Sequence, residues 1–240
     1  MRIKIFFLAF MFFINATQAA FANSANYMTH EHGSEIFHMF RLDSDAGFKK
    51  SAQSASWDFT GWIGNDENKL WLKSEGGQTK NKLESAEFLA LYSRNISEFW
   101  DFQTGLRQDF QPTSTTYFTV GFDGLAPYYF ETEIYLFVSE NGEISSRARL
   151  ERDILISQKL ITQPYFESNF FSESNHEAEV GAGISNGKIG LQTRYEIRRK
   201  FAPYFDFSYD QKIGNTASIA KHDNKDRGEF YSSIGIRIIF

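Results

Sequence analysis

The sequence predicts an all-β protein, a twelve-stranded antiparallel transmembrane barrel of the outer-membrane type. Three observations predict it: an N-terminal export segment, an aromatic-rich chain without a second long apolar run, and period-two alternation repeated in twelve short segments.

The export segment comes first. Met1 is followed by Arg2 and Lys4, then by the apolar run Ile5–Ile14 and the small residues Ala16, Thr17, Ala19, Ala20 and Ala22. This is the order of a cleavable signal peptide, assigned to residues 1–22, with cleavage after Ala19 or Ala22. As a membrane anchor the run is too short, because a spanning helix takes about 20 apolar residues. The chain has no cysteine, so it carries neither a lipoprotein anchor nor the disulfides that brace many small exported folds.

Composition narrows the class. Aromatic residues make up 17% of the chain, 26 of them Phe, yet the mean hydropathy is −0.40. Many aromatics without a long apolar stretch point to strands that are apolar on one face. A net charge of −5 argues against a nucleic-acid partner, which would leave a basic patch.

The alternation is clearest near the C-terminus. Phe230, Ser232, Ile234, Ile236, Ile238 and Phe240 share one face, and Tyr231, Ser233, Gly235 and Arg237 the other. Leu191, Thr193, Tyr195 and Ile197 oppose Gln192, Arg194, Glu196 and Arg198, while Phe130, Thr132, Ile134, Leu136 and Val138 oppose Glu131 and Glu133. Segments of this kind fall at 35–43, 54–64, 68–76, 84–94, 98–110, 115–124, 128–139, 144–156, 160–171, 188–198, 202–212 and 229–240. The barrel thus occupies 35–240, and 23–34 is a short Met/His-containing periplasmic segment ahead of it.

Connections alternate in length. Those at Asn65–Glu67, Asn95–Ser97, Leu125–Pro127, Ser157–Lys159 and Arg199–Phe201 are short. Those after the first, third, ninth and eleventh segments read as long, and those after the fifth and seventh as moderate. Outer-membrane barrels segregate short periplasmic turns from longer external loops, and an even strand number puts both chain ends on the periplasmic side. The polar face carries opposite charges, Lys73 and Glu75, Asp101 and Arg107, Arg149 and Glu151, Arg194 and Glu196. That suits a hydrated, ion-paired lumen inside a lipid-facing apolar exterior.

Two patterns bear on chemistry. Beyond the signal peptide the only methionines are Met28 and Met39, and the window they bound also holds His30, His32 and His38. Thioether sulfur selects Cu(I), and imidazole suits copper in either charge state. Met28, His30, His32, His38 and Met39 are therefore the candidate metal ligands, set against a plain reading as a polar tail and the start of a strand. His176 and His222 fall in the long ninth and eleventh loops. The second pattern, Gly183–Gly187, matches G-x-S-x-G, but that nucleophile elbow needs a following helix and here an alternating segment follows. It reads as a turn, and no catalytic residue is assigned. A membrane-edge hydrolase would need a Ser and a His placed together.

Four strings carry a family resemblance: Asn68–Gly76 (NKLWLKSEG), Leu91–Phe110 (LYSRNISEFWDFQTGLRQDF), Gly124–Glu133 (GLAPYYFETE) and Arg194–Tyr204 (RYEIRRKFAPY). They resemble the copper resistance protein B family of outer-membrane proteins, in order from about Trp57 to Phe240. The resemblance implies an outer-membrane barrel that binds copper, as Cu(I) or Cu(II), beside a periplasmic multicopper oxidase. It also implies a longer Met/His-rich stretch than the one present here. The terminal Phe240 likewise resembles the signal read by the barrel-assembly machinery. Residues in the matching strings and strands that would line a path are Trp71, Lys73, Glu75, Glu87, Asp101, Arg107, Asp109, Glu131, Glu133, Glu167, Arg194, Glu196 and Arg198. The expected function is non-enzymatic: capture of copper on the periplasmic side, followed by sequestration or outward passage. The alternatives are a general small-solute channel and, further off, the membrane-edge hydrolase.

Overall fold

The computed structural model describes residues 35–49, 52–175 and 179–240. The expected signal peptide and the segment 23–34, with Met28, His30 and His32, lie outside the described residues, as does His176.

The strands are β1 (Phe37–Lys49), β2 (Ala52–Gly64), β3 (Asn68–Thr79), β4 (Lys82–Ser97), β5 (Trp100–Gln111), β6 (Thr115–Ala126), β7 (Phe130–Ser139), β8 (Ile144–Glu151), β9 (Ile154–Leu155), β10 (Leu160–Phe171), β11 (Gly183–Tyr195), β12 (Phe201–Lys212) and β13 (Gly228–Ile239). Each pairs antiparallel with its neighbours in the sheet, and β13 returns to β1 with Arg41 opposite Ile239, so the sheet closes. The two-residue β9 continues the line of β8 along β10, past Arg152 and Asp153. Thirteen segments therefore make a barrel of twelve staves, one in each region where the sequence alternates.

Alternation sets which face meets lipid. Ile234, Ile236, Ile134, Leu136 and Tyr195 are 41–61% exposed on the outside, while their chain neighbours Ser233, Arg237 and Tyr135 are buried. A strand flips its side chains with period two, so the outward face is the apolar one and water is left to the lumen, as bilayer solvation demands.

The structure corrects several expectations. The connections after the first and third segments are not long. β1 and β2 extend to Lys49 and Ala52, and β3 meets β4 through Lys80 and Asn81 alone, at φ 51° and 61°. Both values are left-handed, the geometry a two-residue hairpin takes to match the twist of its strands. The alternation fades in these strands because their ends are small and polar, and the pairing continues without it. Gly183–Gly187 is the start of β11 and not a turn, and β11 ends at Tyr195, so Glu196 and Arg198 sit in the short connection to β12. The last long loop contains a helix, α1 (Gly214–His222), where none was expected. It folds back on the barrel end through Gly181 N–H to Thr216 Oγ1 (2.9 Å) and Asn215 Nδ2 to the Ala182 carbonyl (2.8 Å).

Candidate functional site in the barrel lumen

The inward positions of β3 to β7 set a small apolar cluster among charged side chains. On β4 and β7, Leu89, Leu91, Tyr135 and Phe137 are buried against one another, with Trp71 of β3 and Tyr117 of β6 packed beside them. The lumen is therefore not hydrated throughout: its β3–β7 side holds an apolar core. Gly105 and Gly121 face this core, and a Cβ at Gly121 would lie 2.4 Å from the Tyr135 ring. The Tyr135 hydroxyl donates to Gln103 Oε1 (2.6 Å) and accepts from Lys73 Nζ (2.9 Å), so the aromatic layer is tied at its polar tip.

Around that core, ion pairs cross the lumen. Arg149 of β8 forks onto Glu75 of β3 (Nη2 to Oε2, 2.6 Å) and reaches Glu167 of β10 (2.8 Å). β3 and β8 are five staves apart in a ring of twelve, so this pair spans nearly the full width. Arg147 of β8 forks onto Glu87 of β4 at 2.6 and 3.0 Å, and Glu87 also takes Arg107 of β5 at 2.8 Å. Lys73 bridges to Glu133 of β7 (2.8 Å) and to Asp123 of β6 (3.5 Å). Arg237 of β13 forks onto Asp43 of β1 at 2.8 and 2.7 Å and donates to Gln192 (2.9 Å). Partners in such bidentate pairs hold one another's geometry as well as charge.

Opposite charges do share strand faces, but their partners are mostly across strands. Lys73 meets Glu133 where Glu75 is its neighbour in sequence, Asp101 meets Lys69 (2.9 Å), and Arg194 meets Asp153 (2.9 Å) with Glu196 at 3.8 Å. A barrel brings distant strands within reach of a long side chain, which a single strand's spacing does not disclose.

Of the residues expected along a path, Trp71, Lys73, Glu75, Glu87, Asp101, Arg107, Asp109, Glu131, Glu133, Glu167 and Arg194 fall on inward positions of the strands, and Glu196 and Arg198 do not. The sequence reading passed over Arg41, Asp43, Asp45, Asp58, Asp123, Arg147, Asp206 and Asp210. The same alternation carries them, for instance Asp43 and Asp45 in one run and Asp206, Ser208 and Asp210 in another. They line two cavities of about 740 and 600 Å³. The larger holds Met39, Arg41, Asp43, Asp58 and Glu131 toward the end of the barrel that carries β1's first residues. The smaller holds Arg107, Asp109, Arg147 and Asp210 toward the loops.

The Met/His candidates part company. Met39 lines the larger cavity, whereas His38, its neighbour on β1, points to the other face and is exposed. Among the described residues no three His, Asp or Glu side chains are grouped to hold a metal ion. Ser185, the centre of the G-x-S-x-G match, donates to the Asn169 carbonyl (3.1 Å), and His222 is 90% exposed on α1 beside Asp223.

Comparison with known proteins fits this barrel to a family. A profile described as Copper resistance protein B precursor matches residues 38–240. The chain belongs to the copper resistance protein B family. The Copper resistance protein B of Escherichia coli is 38% identical over 225 residues, covering 93% of this chain and 75% of that one. The Copper resistance protein B homolog of Pseudomonas syringae pv. tomato is 36% identical over 186 residues, covering 77% of this chain and 63% of that one. Among solved structures, the NanC porin superposes with a TM-score of 0.58 at 12% identity, covering 82% of this chain and 98% of that one. The KdgM porin does so with a TM-score of 0.54 at 8% identity and the same coverages. At such identities these likenesses concern the fold alone. They place the copper resistance protein B barrel among outer-membrane barrels.

Proposed function

We propose that this barrel supports copper resistance by taking up copper from the periplasmic side and either holding it or passing it outward, without chemistry on a substrate. The observation that carries the reading is the family match over 38–240, which covers all of the described barrel wall except Phe37. The position of Met39 supports it. The thioether stands on the inward face of β1 beside the larger cavity, two residues after the strand begins. Met28, His30, His32 and His38 precede it closely in sequence. Thioether and imidazole donors favour copper over magnesium, calcium or manganese. In this reading the N-terminus faces the periplasm, and the partners are outer-membrane lipid, the barrel-assembly machinery and a periplasmic multicopper oxidase.

The test replaces Met28, His30, His32, His38 and Met39 with alanine together and measures copper bound by the purified protein and survival of cells in copper. Both should fall. If the variant inserts normally and both readouts match the parent, these residues are not the functional site. His38→Ala alone separates the two faces of β1: with its ring on the outside, it should change copper binding less than Met39→Ala. Histidine must be neutral to bind metal, so the imidazole contribution should weaken as pH falls. The thioether contribution to Cu(I) should persist.

A further inference from the structure

The rim that carries the short turns is basic at one corner. Lys159 ends the connection into β10, and Arg198, Arg199 and Lys200 fill the turn between β11 and β12. All four are exposed, and among the described residues none has a side-chain ion pair or hydrogen bond. The backbone gathers them. Glu196 N–H donates to the Lys159 carbonyl (2.7 Å), and Ile239 N–H donates to the Lys200 carbonyl (3.1 Å). Arg198 and Phe201 exchange N–H···O bonds of 3.2 and 3.0 Å, which close the turn over Arg199 and Lys200. The acids closest in sequence are engaged elsewhere: Asp153 takes Arg194 at 2.9 Å, and Glu196 stands 3.8 Å from the same guanidinium. Other short turns on this rim carry acids instead, Asp66 and Glu67 after β2 and Glu98 after β4.

We propose that this corner is a docking site for an anionic phospholipid, with Lys159, Arg198, Arg199 and Lys200 holding the headgroup and the acyl chains lying on the apolar wall beside them. That wall begins at once. Tyr195, Ile197 and Phe201 are exposed neighbours of the cations in the chain, and Leu155 and Ile156 are exposed on β9 and just after it. A strand rises about 3.3 Å per residue, so the charges stand within a few steps of hydrocarbon. Lys and Arg suit such a border, because the stem covers apolar surface while the charged head stays in water. A guanidinium meets phosphate oxygens two at a time, and an ammonium adds a point charge.

The corner selects its ligand by joining cations to an apolar face. An anion with hydrocarbon attached uses both, whereas an acidic protein surface would use the charges alone. The closed turn points the same way, because it keeps the cations level with the strand ends and does not carry them out on a loop. The acidic turns elsewhere on the rim repel the same headgroup, so the lipid has a preferred place around the barrel. The proposal rests on lipid being a partner of the barrel and names its class and seat. It does not rest on copper, since neither Met39 nor any histidine takes part.

Native mass spectrometry tests it on the full chain, folded in detergent with equal amounts of phosphatidylglycerol and phosphatidylethanolamine. The anionic lipid should be retained over the zwitterionic one by about fivefold or more, the effect of a single basic residue near an anionic surface. The preference should fall as ammonium acetate is raised, because exposed charges are screened. Lys159→Gln, Arg198→Gln, Arg199→Gln and Lys200→Gln together should abolish it. Lys80→Gln with Lys82→Gln, at exposed lysines on the opposite rim, should leave it unchanged. The five-alanine variant of the copper test should also keep it, which separates failure of one proposal from failure of the other. Heat-dependent gel migration reports whether each variant has formed the barrel. The proposal is overturned if the parent retains the two lipids alike, which would favour an acidic protein as the partner of this corner. It is also overturned if the preference ignores salt, if the folded fourfold variant keeps it, or if the Lys80 and Lys82 variant loses it equally. Should the fourfold variant not fold, unchanged preference in Arg199→Gln with Lys200→Gln overturns it.

Discussion

At the scale of single residues, the bilayer and the lumen impose opposite rules on neighbours in sequence. Ile236 is 41% exposed to the outside, and Arg237 beside it is 7% exposed and forked onto Asp43. Ile236→Arg should destabilise the barrel by about 2–4 kcal/mol if the position lies near the bilayer midplane, and by less near the interface. Urea unfolding in lipid vesicles measures it. A value near zero would place the side chain away from the hydrocarbon. Glu87 illustrates the lumen rule. It answers both Arg147 and Arg107, so Glu87→Ala leaves Arg147 without its carboxylate and should cost about 3–5 kcal/mol, the usual penalty for breaking a buried pair. Removing Arg147 as well should recover part of that loss, and equal losses in the single and double variants would show that the pair is screened by water.

Single elements show where sequence is legible and where it is not. Period-two patterning located every stave, because the lipid demands an apolar residue at alternate steps over the strand's full crossing. It failed at strand ends, where lipid makes no demand. β3 and β4 continue to Thr79 and Lys82 through small and polar residues, and the hairpin closes on Lys80–Asn81, a pair that does not read as a tight turn. Lys80 holds φ 51°, a conformation that costs most L-residues about 1 kcal/mol or more. Replacing Lys80–Asn81 with Asn–Gly should stabilise the barrel by up to about 1 kcal/mol, as the preferred residues of this turn type. Unchanged or lower stability by urea titration would argue that the hairpin departs from that geometry. The candidate site was legible in a weaker sense. Alternation identified inward carboxylates such as Glu75, Glu87 and Glu133 and passed over Asp43, Asp45, Asp58, Asp123, Asp206 and Asp210, and for Glu75, Glu87 and Glu133 the partner stands four or five staves away. The pairing also depends on Leu89, Leu91, Tyr135 and Phe137, inward apolar residues that alternation alone places among the polar ones.

For the whole molecule, the apolar core on one side of the lumen and the ion pairs across it leave less open cross-section than twelve staves would enclose if empty. Conductance in planar bilayers should be small, and Phe137→Ala, which removes a ring buried to 1% exposure, should raise it. No change in current would mean that ions already pass along the β12–β1 wall and never meet Phe137. This separates the copper reading from that of a general channel, since a wide, unselective pore has no use for a filled lumen.

The seam between β1 and β13 joins parts of the chain that are farthest apart in sequence, and its lumen side is latched by Arg237 and Asp43, 194 positions apart. Chain entropy makes such a contact the slowest to find, while the hairpins from β2 to β8 need only local search. Closure is then a late event in assembly. Until it happens, both edges present unpaired backbone groups that hydrocarbon cannot satisfy. The latch offers a charge attraction between the two edges where the low dielectric strengthens it. Arg237→Gln should therefore lengthen the time for which the open-edged form persists during refolding into vesicles, seen as delayed heat-resistant gel migration. Formation of β structure by circular dichroism should keep its pace.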